Sequence, residues 1–395
     1  MPTELSRLAN SLTPSPTRAF DKQARELAAS GKNILFFTLG EPDFPTPKNI
    51  KRAALAAIKK DFTHYTPVSG IPELRQAICD KFKRDNNLAY SPDQIVVNAG
   101  VANSLYLAFN CILNPGDEVI IPVPSWPTVF SQVKSTGAVP VFVQCKEEND
   151  FEVQFEDIAA AITEKTKCIV LNSPCNPTGA IIPEKTIKKI CELASEKNIW
   201  LLSDEIYEKL TYSGKHISPA IYHQNTITLN GVSKAYAMTG WRIGYTAAPI
   251  QLATAITSLQ GLVIGNPTSV SQKAAVEAFI GSQSSVSKMK KEFRNRRDLI
   301  VKLINEIPHL HANLPKGAFY AFTNVSGLFN KKTPDGKTLS NSVDVAAYFL
   351  NEALVATTPG QPFGSDAHIR LSYACSQEQI IEGMAQIDAA VRKLR

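Results

Sequence analysis

The chain is expected to fold as an α/β protein with a mostly parallel, doubly wound central sheet and a smaller α+β domain built from both chain ends. Three observations carry this expectation. Through the middle of the chain, apolar runs of strand length alternate with helical patterns; the runs are continuous rather than period-two; and the two ends lack that rhythm. Continuous β-branched and aliphatic runs belong in a sheet covered on both faces. Regular strand–helix alternation argues for a doubly wound arrangement, in which ligands sit at the carboxyl ends of the strands.

Taken in order, residues 1–20 hold three prolines and several Ser/Thr, and read as an arm rather than a helix. Buried strands are expected at 94–98, 118–122, 139–143, 168–172, 199–203 and 226–230, with helices at 101–112 and 184–197 among those between them. A long charged helix follows over 288–303; its Arg294, Arg296 and Arg297 read as a solvated face. The Gly317-Ala-Phe-Tyr-Ala-Phe322 run, a polar loop over 331–337, a helix around 343–352 and a last helix from Gln377 supply the smaller domain. The boundaries that follow are an N-terminal arm and part of the small domain at 1–45, a large domain at 46–290, and a small C-terminal domain at 291–395.

Composition excludes several classes. With 395 residues, 44% hydrophobic and 20% charged, the chain can bury a large core and matches an ordinary globular protein. A net charge of +6 without a basic, aromatic-interleaved run gives no reason to expect nucleic acid. The seven cysteines are odd in number, scattered and without C-x-x-C spacing, so a disulfide framework is not expected and a reducing compartment fits. The start lacks the apolar core of a signal peptide and no stretch approaches a membrane span, so a cytoplasmic location is expected. No metal site is expected.

The chemistry concentrates at strand ends. Ser233-Lys234 stands in a small, apolar, glycine-bounded segment, and Arg242 follows eight residues on. A desolvated lysine loses its proton more easily, and its free amine can form a Schiff base with an aldehyde. An arginine can hold a phosphate through paired hydrogen bonds. Three other strand ends complete the set. One runs into Gly100-Val101-Ala102 and opens a helix, where free N–H groups attract phosphate. A second runs into Asn176-Pro-Thr-Gly179, and a third ends in Asp204-Glu-Ile-Tyr207. An anion there suits the ring nitrogen of a pyridoxal cofactor, and Tyr207 its phenolic oxygen.

With these motifs the chain resembles the class I pyridoxal-phosphate aminotransferases of fold type I, most of all the bacterial aspartate and aspartate/prephenate group. The matching pieces include Gly40-Glu-Pro-Asp-Phe44, Tyr65-Thr-Pro-Val-Ser-Gly70, Asn172-Ser-Pro-Cys-Asn-Pro-Thr-Gly179, residues 231–244 and His368-Ile-Arg-Leu-Ser-Tyr373. The resemblance implies pyridoxal 5'-phosphate joined to Lys234, which then shuttles a proton. It implies Asp204 on the pyridine nitrogen, Asn176 and Tyr207 on the phenolic oxygen, and Trp126 against the ring. Arg242, the Val101 and Ala102 backbone and Ser233 would take the phosphate, and Tyr65 the phosphate of a neighbouring subunit, which implies a homodimer. Arg370 would hold the substrate α-carboxylate with the Gly40 backbone, in a ping-pong exchange between amino acids and 2-oxo acids.

Substrate choice is where the chain departs from that group. Ser15 and Thr17 occupy the places that help recognise a distal carboxylate, but Ala102 stands where the group has a lysine. Arg18, beside Thr17, is the candidate replacement cation. A broad transaminase favouring aspartate or glutamate is therefore expected. An aromatic or alanine-type preference is the close competitor, and a pyridoxal carbon–sulfur β-lyase shares Lys234, Asp204 and Arg370. A regulator carrying an aminotransferase-like domain is disfavoured because only 39 residues precede Gly40. A nicotinamide dehydrogenase is disfavoured because no G-x-G-x-x-G follows the first strands.

Overall fold

A computed structural model describes residues 4–6, 9–10 and 16–395, with the side chains of residues 16–19 outside that description. Leu35–Phe36 forms β1, followed by β2 (Ile95–Asn98), β3 (Glu118–Val123), β4 (Val139–Gln144), β5 (Thr166–Asn172), β6 (Trp200–Asp204), β7 (Thr226–Gly231) and β8 (Gly244–Ala247). β2 to β8 make one seven-stranded sheet in the order β2-β8-β7-β6-β5-β3-β4. Strands β3 to β7 run parallel, and β8 is antiparallel to both neighbours, β2 and β7. The expected doubly wound, mostly parallel sheet is present. The expected helices at 101–112 and 184–197 are Val101–Ile112 and Glu184–Lys197.

The remaining strands, β9 (Tyr320–Asn324), β10 (Val355–Ala356), β11 (Thr358–Pro359) and β12 (His368–Ser372), belong to the smaller unit. β12 lies between β11 and β9, antiparallel to both, while β1 pairs in parallel with β10. The register Leu35 to Val355 and Phe36 to Ala356 ties the N-terminal segment to the C-terminal one. Against these pack Ser284–Glu306, Ser342–Glu352 and Gln377–Val391, the last opened by a capping box between Ser376 and Gln379. A shared apolar core joins the two units: Phe319, stacked on Phe293 of the long helix at 5.2 Å, meets Tyr207 of the large unit edge-on at 5.5 Å.

Three expectations require correction. The arm expected over residues 1–20 does not extend past residue 15: Pro16–Ala29 is a helix, and Pro16 is its first residue. Proline is at home there, because the first helical N–H has no partner to lose and φ is already set. Strand β4 is not fully buried; it is the sheet edge, with Val139 50% and Phe142 46% exposed. Nor do Arg296 and Arg297 face water. Both are buried, Arg296 on Asp43 at 2.7 Å and Glu292 at 3.0 Å, and Arg297 on the Pro315 carbonyl at 3.0 Å. A helical repeat of charge shows which residues share a face, but not that an acid and a carbonyl from other segments will meet it.

All seven cysteines are free. Among the described residues no helix is long and apolar enough to cross a membrane.

Candidate active site

The sheet delivers its polar groups to one edge. Register places Asn172, the last residue of β5, beside Asp204, the last residue of β6. The Asn172 amide donates to the Asp204 carbonyl at 3.0 Å, and its oxygen accepts the Asn176 N–H at 2.8 Å. One side chain thus staples the Asn-Pro-Thr-Gly turn to the neighbouring strand end. β7 runs out through Ser233 to Lys234, whose Nζ donates to the Gly40 carbonyl. That Nζ lies 5.9 Å from the ring centres of both Tyr207 and Phe319.

A second corner is shaped by two glycines. Gly244 opens β8 between Asn98 of β2 and Gly231 of β7. A Cβ there would stand 2.6 Å from the Val101 nitrogen. Gly100, at φ +86°, precedes helix Val101–Ile112, and a Cβ on it would meet the Arg242 guanidinium at 2.7 Å. Only glycine lets this turn lie against Arg242. Asn98, fully buried, fixes the corner by donating to Gln260 and accepting from Ser104 and Thr246, each at 2.8 Å. The first N–H groups of a helix lack intrahelical partners. Together with a guanidinium fork they make an anion site.

The third part comes from the smaller sheet. Arg370, buried in the middle of β12, donates to the Asn176 side-chain oxygen at 3.0 Å and the Thr38 carbonyl at 2.9 Å. Its guanidinium lies 4.5 Å from the Tyr320 ring centre and 5.1 Å from that of Phe363. Its Nε is buried without a protein partner. Tyr320, on β9, places its hydroxyl 2.8 Å from that of Tyr207. These groups converge on a cavity of about 580 Å³, lined among others by Asp21, Thr38, Gly40, Glu41, Trp126, Asp204, Lys234, Arg242 and Arg370.

Proton affinities follow from that crowding. Burial, then the Arg370 and Arg242 charges, lowers Lys234 to about 8 against the pull of Glu41 and Asp204. Burial, with Glu205 adding to it, raises Asp204 to about 7 despite the Ile206 N–H and Lys234. Burial and Tyr320 hold Tyr207 well above its ordinary value, so it remains a neutral donor. A lysine amine accessible near neutrality, an acid seeking a cation and two arginines seeking anions can together bind a phosphorylated, ring-cationic aldehyde and a carboxylate.

The family description "Aminotransferase class I and II" matches residues 32–387. The chain is 44% identical over 95% of its length, and 95% of the relative, to a probable aspartate/prephenate aminotransferase of Rhizobium leguminosarum bv. phaseoli. It is 43% identical, over 98% of its length and 99% of the relative, to an aspartate aminotransferase of Bacillus sp. (strain YM-2). The chain belongs to the class I and II aminotransferases. Its fold matches the crystal structure of the aspartate aminotransferase from Rhizobium meliloti with a TM-score of 0.96, at 38% identity and full coverage of both chains. It is an aspartate aminotransferase-like enzyme that transfers amino groups.

Within this aminotransferase cavity lie Gly40, Val101, Ala102, Trp126, Asn176, Asp204, Tyr207, Ser233, Lys234, Arg242 and Arg370, all singled out from the sequence. Tyr65 is not among them; it is 96% exposed on the single chain. Ser15 lies outside the described residues. Thr17 and Arg18 fall in helix Pro16–Ala29, their side chains outside the description. Sequence reasoning missed Asn172, Thr38, Tyr320, Phe363, Asp21 and Glu41. Asn172 and Tyr320 stood inside runs already singled out, but nothing local told that their side chains face the site.

Two outcomes follow for the aminotransferase. Trapping of an aldehyde on Lys234 by borohydride, followed against pH, should rise with a midpoint near the lowered value of about 8, because only the neutral amine attacks. A midpoint near the ordinary lysine value of about 10.4 would contradict the desolvated site. Tyr320→Phe removes the hydroxyl partner of Tyr207 but keeps the ring under Arg370. Losing about 1 kcal/mol there should lower kcat about fivefold while KM for the amino acid holds.

Proposed function

We propose that the chain is a pyridoxal 5'-phosphate-dependent aminotransferase, working by ping-pong exchange between an L-amino acid and a 2-oxo acid, with aspartate or glutamate the favoured donor. One observation carries the reading: a lysine of lowered proton affinity shares one cavity with a buried acid and two arginines. The residues fit the cofactor. Asp204 is a buried carboxyl without a side-chain cation bonded to it, Arg370 keeps an unpartnered Nε, and the Gly100 turn lets the Arg242 guanidinium lie against the start of helix Val101–Ile112, where the first N–H groups are free.

In this reading Arg242, Ser233 and the first N–H groups of helix Val101–Ile112 hold the phosphate. Asp204 holds the proton on the ring nitrogen, Trp126 covers the ring, and Asn176 and Tyr207 hydrogen-bond its phenolic oxygen. The bound cofactor supplies an aldehyde that takes up the amino group and a ring that draws electrons from the substrate carbon. Arg370 grips the α-carboxylate, backed by the Gly40 backbone, and fixes which bond faces Lys234. Lys234 Nζ, lowered toward neutrality, takes the α-proton and returns it.

The same reading makes Tyr65 a contributor to a neighbouring subunit's site, since its ring stands free of its own chain. It also assigns residues 46–290 to the cofactor-holding domain, with 1–45 and 291–395 forming the small one. For the donor, the relatives' names speak for aspartate, whereas Ala102 removes a charge partner. The cations lining the cavity, among the described residues, all have other work: Lys234, Arg242 and Arg370. What remains on the lining is acidic, Asp21 and Glu41, held by Thr38 at 3.0 Å and Thr239 at 2.5 Å. Arg18 is then the candidate cation for a distal carboxylate.

Lys234→Ala should abolish both the absorbance band that arises when the cofactor is joined to the lysine and transamination; a variant with full activity would refute the assignment. In a donor screen with 2-oxoglutarate, aspartate should lead, and Arg18→Ala should lower its kcat/KM about tenfold while sparing alanine. An unchanged aspartate rate removes Arg18 from recognition. Leading rates with alanine or phenylalanine would favour the alanine or aromatic reading, and release of pyruvate and ammonia from cystathionine without an acceptor the β-lyase.

A further inference from the structure

Behind the cavity, the turn that carries Asp204 and Tyr207 sends two acids the other way. Glu205 is fully buried, its Oε1 accepting from Ser203 at 2.9 Å and Ser218 at 2.6 Å; its Oε2 lies 3.1 Å from His216 Nε2, close enough for charge to act although the two atoms are not aligned for a hydrogen bond. Glu208 is paired with buried Lys81 and accepts from Asn86 at 2.8 Å; Lys81 in turn donates to Asn86 at 2.6 Å. Potential ligand atoms of Glu205, Glu208 and His216 lie within 4.8 Å of one another. Such a cluster invites a metal, yet the Lys81 ammonium already stands on Glu208 and would repel one. Within this cluster two carboxylates meet one lysine, while the adjoining Asp85 is met by Arg84 at 3.0 Å and Lys209 at 2.7 Å. His216 faces both carboxylates: burial and Lys81 oppose its charge, but Glu205 and Glu208 raise its proton affinity on balance.

Backbone geometry connects this network to the site. Asp204 and Glu205 are consecutive, the Glu205 N–H continues the sheet onto Leu229 at 2.9 Å, and the Glu208 N–H closes back on the Glu205 carbonyl at 3.0 Å. A shift of Glu205 or Glu208 therefore turns Asp204 and Tyr207 with it. We propose that Glu205 and His216, balanced by the Lys81–Glu208 pair, are positioning residues that aim Asp204 and Tyr207 at the cofactor ring and set the charge behind Asp204. The inference rests on the cofactor reading above. Glu205 adds negative charge next to Asp204 and so favours a protonated ring; His216, as a cation, moderates it.

The test uses holoenzyme and cofactor-stripped protein of the wild type, Glu205→Gln, His216→Gln and the double variant. Titration with pyridoxal 5'-phosphate gives Kd, and visible absorbance against pH gives a midpoint for the bound cofactor. Each single variant should raise Kd about tenfold. Glu205→Gln should lower the pH midpoint and His216→Gln raise it, since negative charge favours the protonated form and positive charge opposes it. The double variant, free of both charges, should return toward wild type in both readings. Where a single variant does not fold, Ser218→Ala, which removes one hydrogen bond to Glu205 and keeps both charges, should raise Kd in its place.

Variants that lower Tm but leave Kd and the midpoint unchanged would overturn the proposal, as would a double variant no better than the worse single one. Wild-type protein that takes up no pyridoxal 5'-phosphate would overturn the cofactor reading itself, and this inference with it.

Discussion

Three cations facing one cavity impose the constraint that orders this protein. Lys234, Arg242 and Arg370 line the same space, and the two guanidiniums help lower the proton affinity of the amine. Positive charges gathered this way, partly out of water, are costly unless anions join them. Asp204 reduces the imbalance, yet burial makes that carboxyl hold a proton near neutrality unless a cation meets it. The arrangement therefore favours a ligand with anionic groups for the two arginines and a cationic ring edge for the acid. The lowered proton affinity of Lys234 comes from burial and from the same gathering of charge.

Holding that charge requires two sheets. The large one supplies Asp204, Tyr207, Lys234 and Arg242 from adjoining strand ends, and the small one supplies Arg370 and Tyr320. Contact between them is polar and specific: Arg370 bonds Asn176, and Tyr320 bonds Tyr207. The N-terminal segment is the third participant, since Thr38 and Gly40 offer their carbonyls to Arg370 and Lys234. A displacement of the small sheet would thus alter the bonds of Arg370 and the hydrogen bonding of Tyr207 together. In the roles proposed for these residues, substrate binding and proton transfer are thereby mechanically joined.

Much of this was legible in the chain because the key residues close short local motifs. Asp204, Lys234 and Asn176 each end or follow an apolar run, so strand identification placed them at one sheet edge before any contact was known. The Gly100 and Gly244 positions likewise announce themselves by residue type. What escaped depends on partners distant in sequence. Tyr320 looked like one aromatic among several in an apolar run, and only pairing of β9 with β12 brings its ring under Arg370. Arg296 sat in a charged helix, where no local signal reveals that Asp43 completes it. The Pro16 helix was missed for the opposite reason: a residue that breaks helices inside them begins them well. Glu205 and His216 show the same limit, because a buried pair eleven residues apart has no periodic signature.

The central claim is that Lys234 bears the cofactor. Borohydride reduction of the enzyme after loading with pyridoxal 5'-phosphate, then peptide mapping by mass spectrometry, tests it most directly. The account predicts a phosphopyridoxyl group on the single peptide containing Lys234, at one per chain. Stable labelling of other lysines with Lys234 unmodified would contradict it.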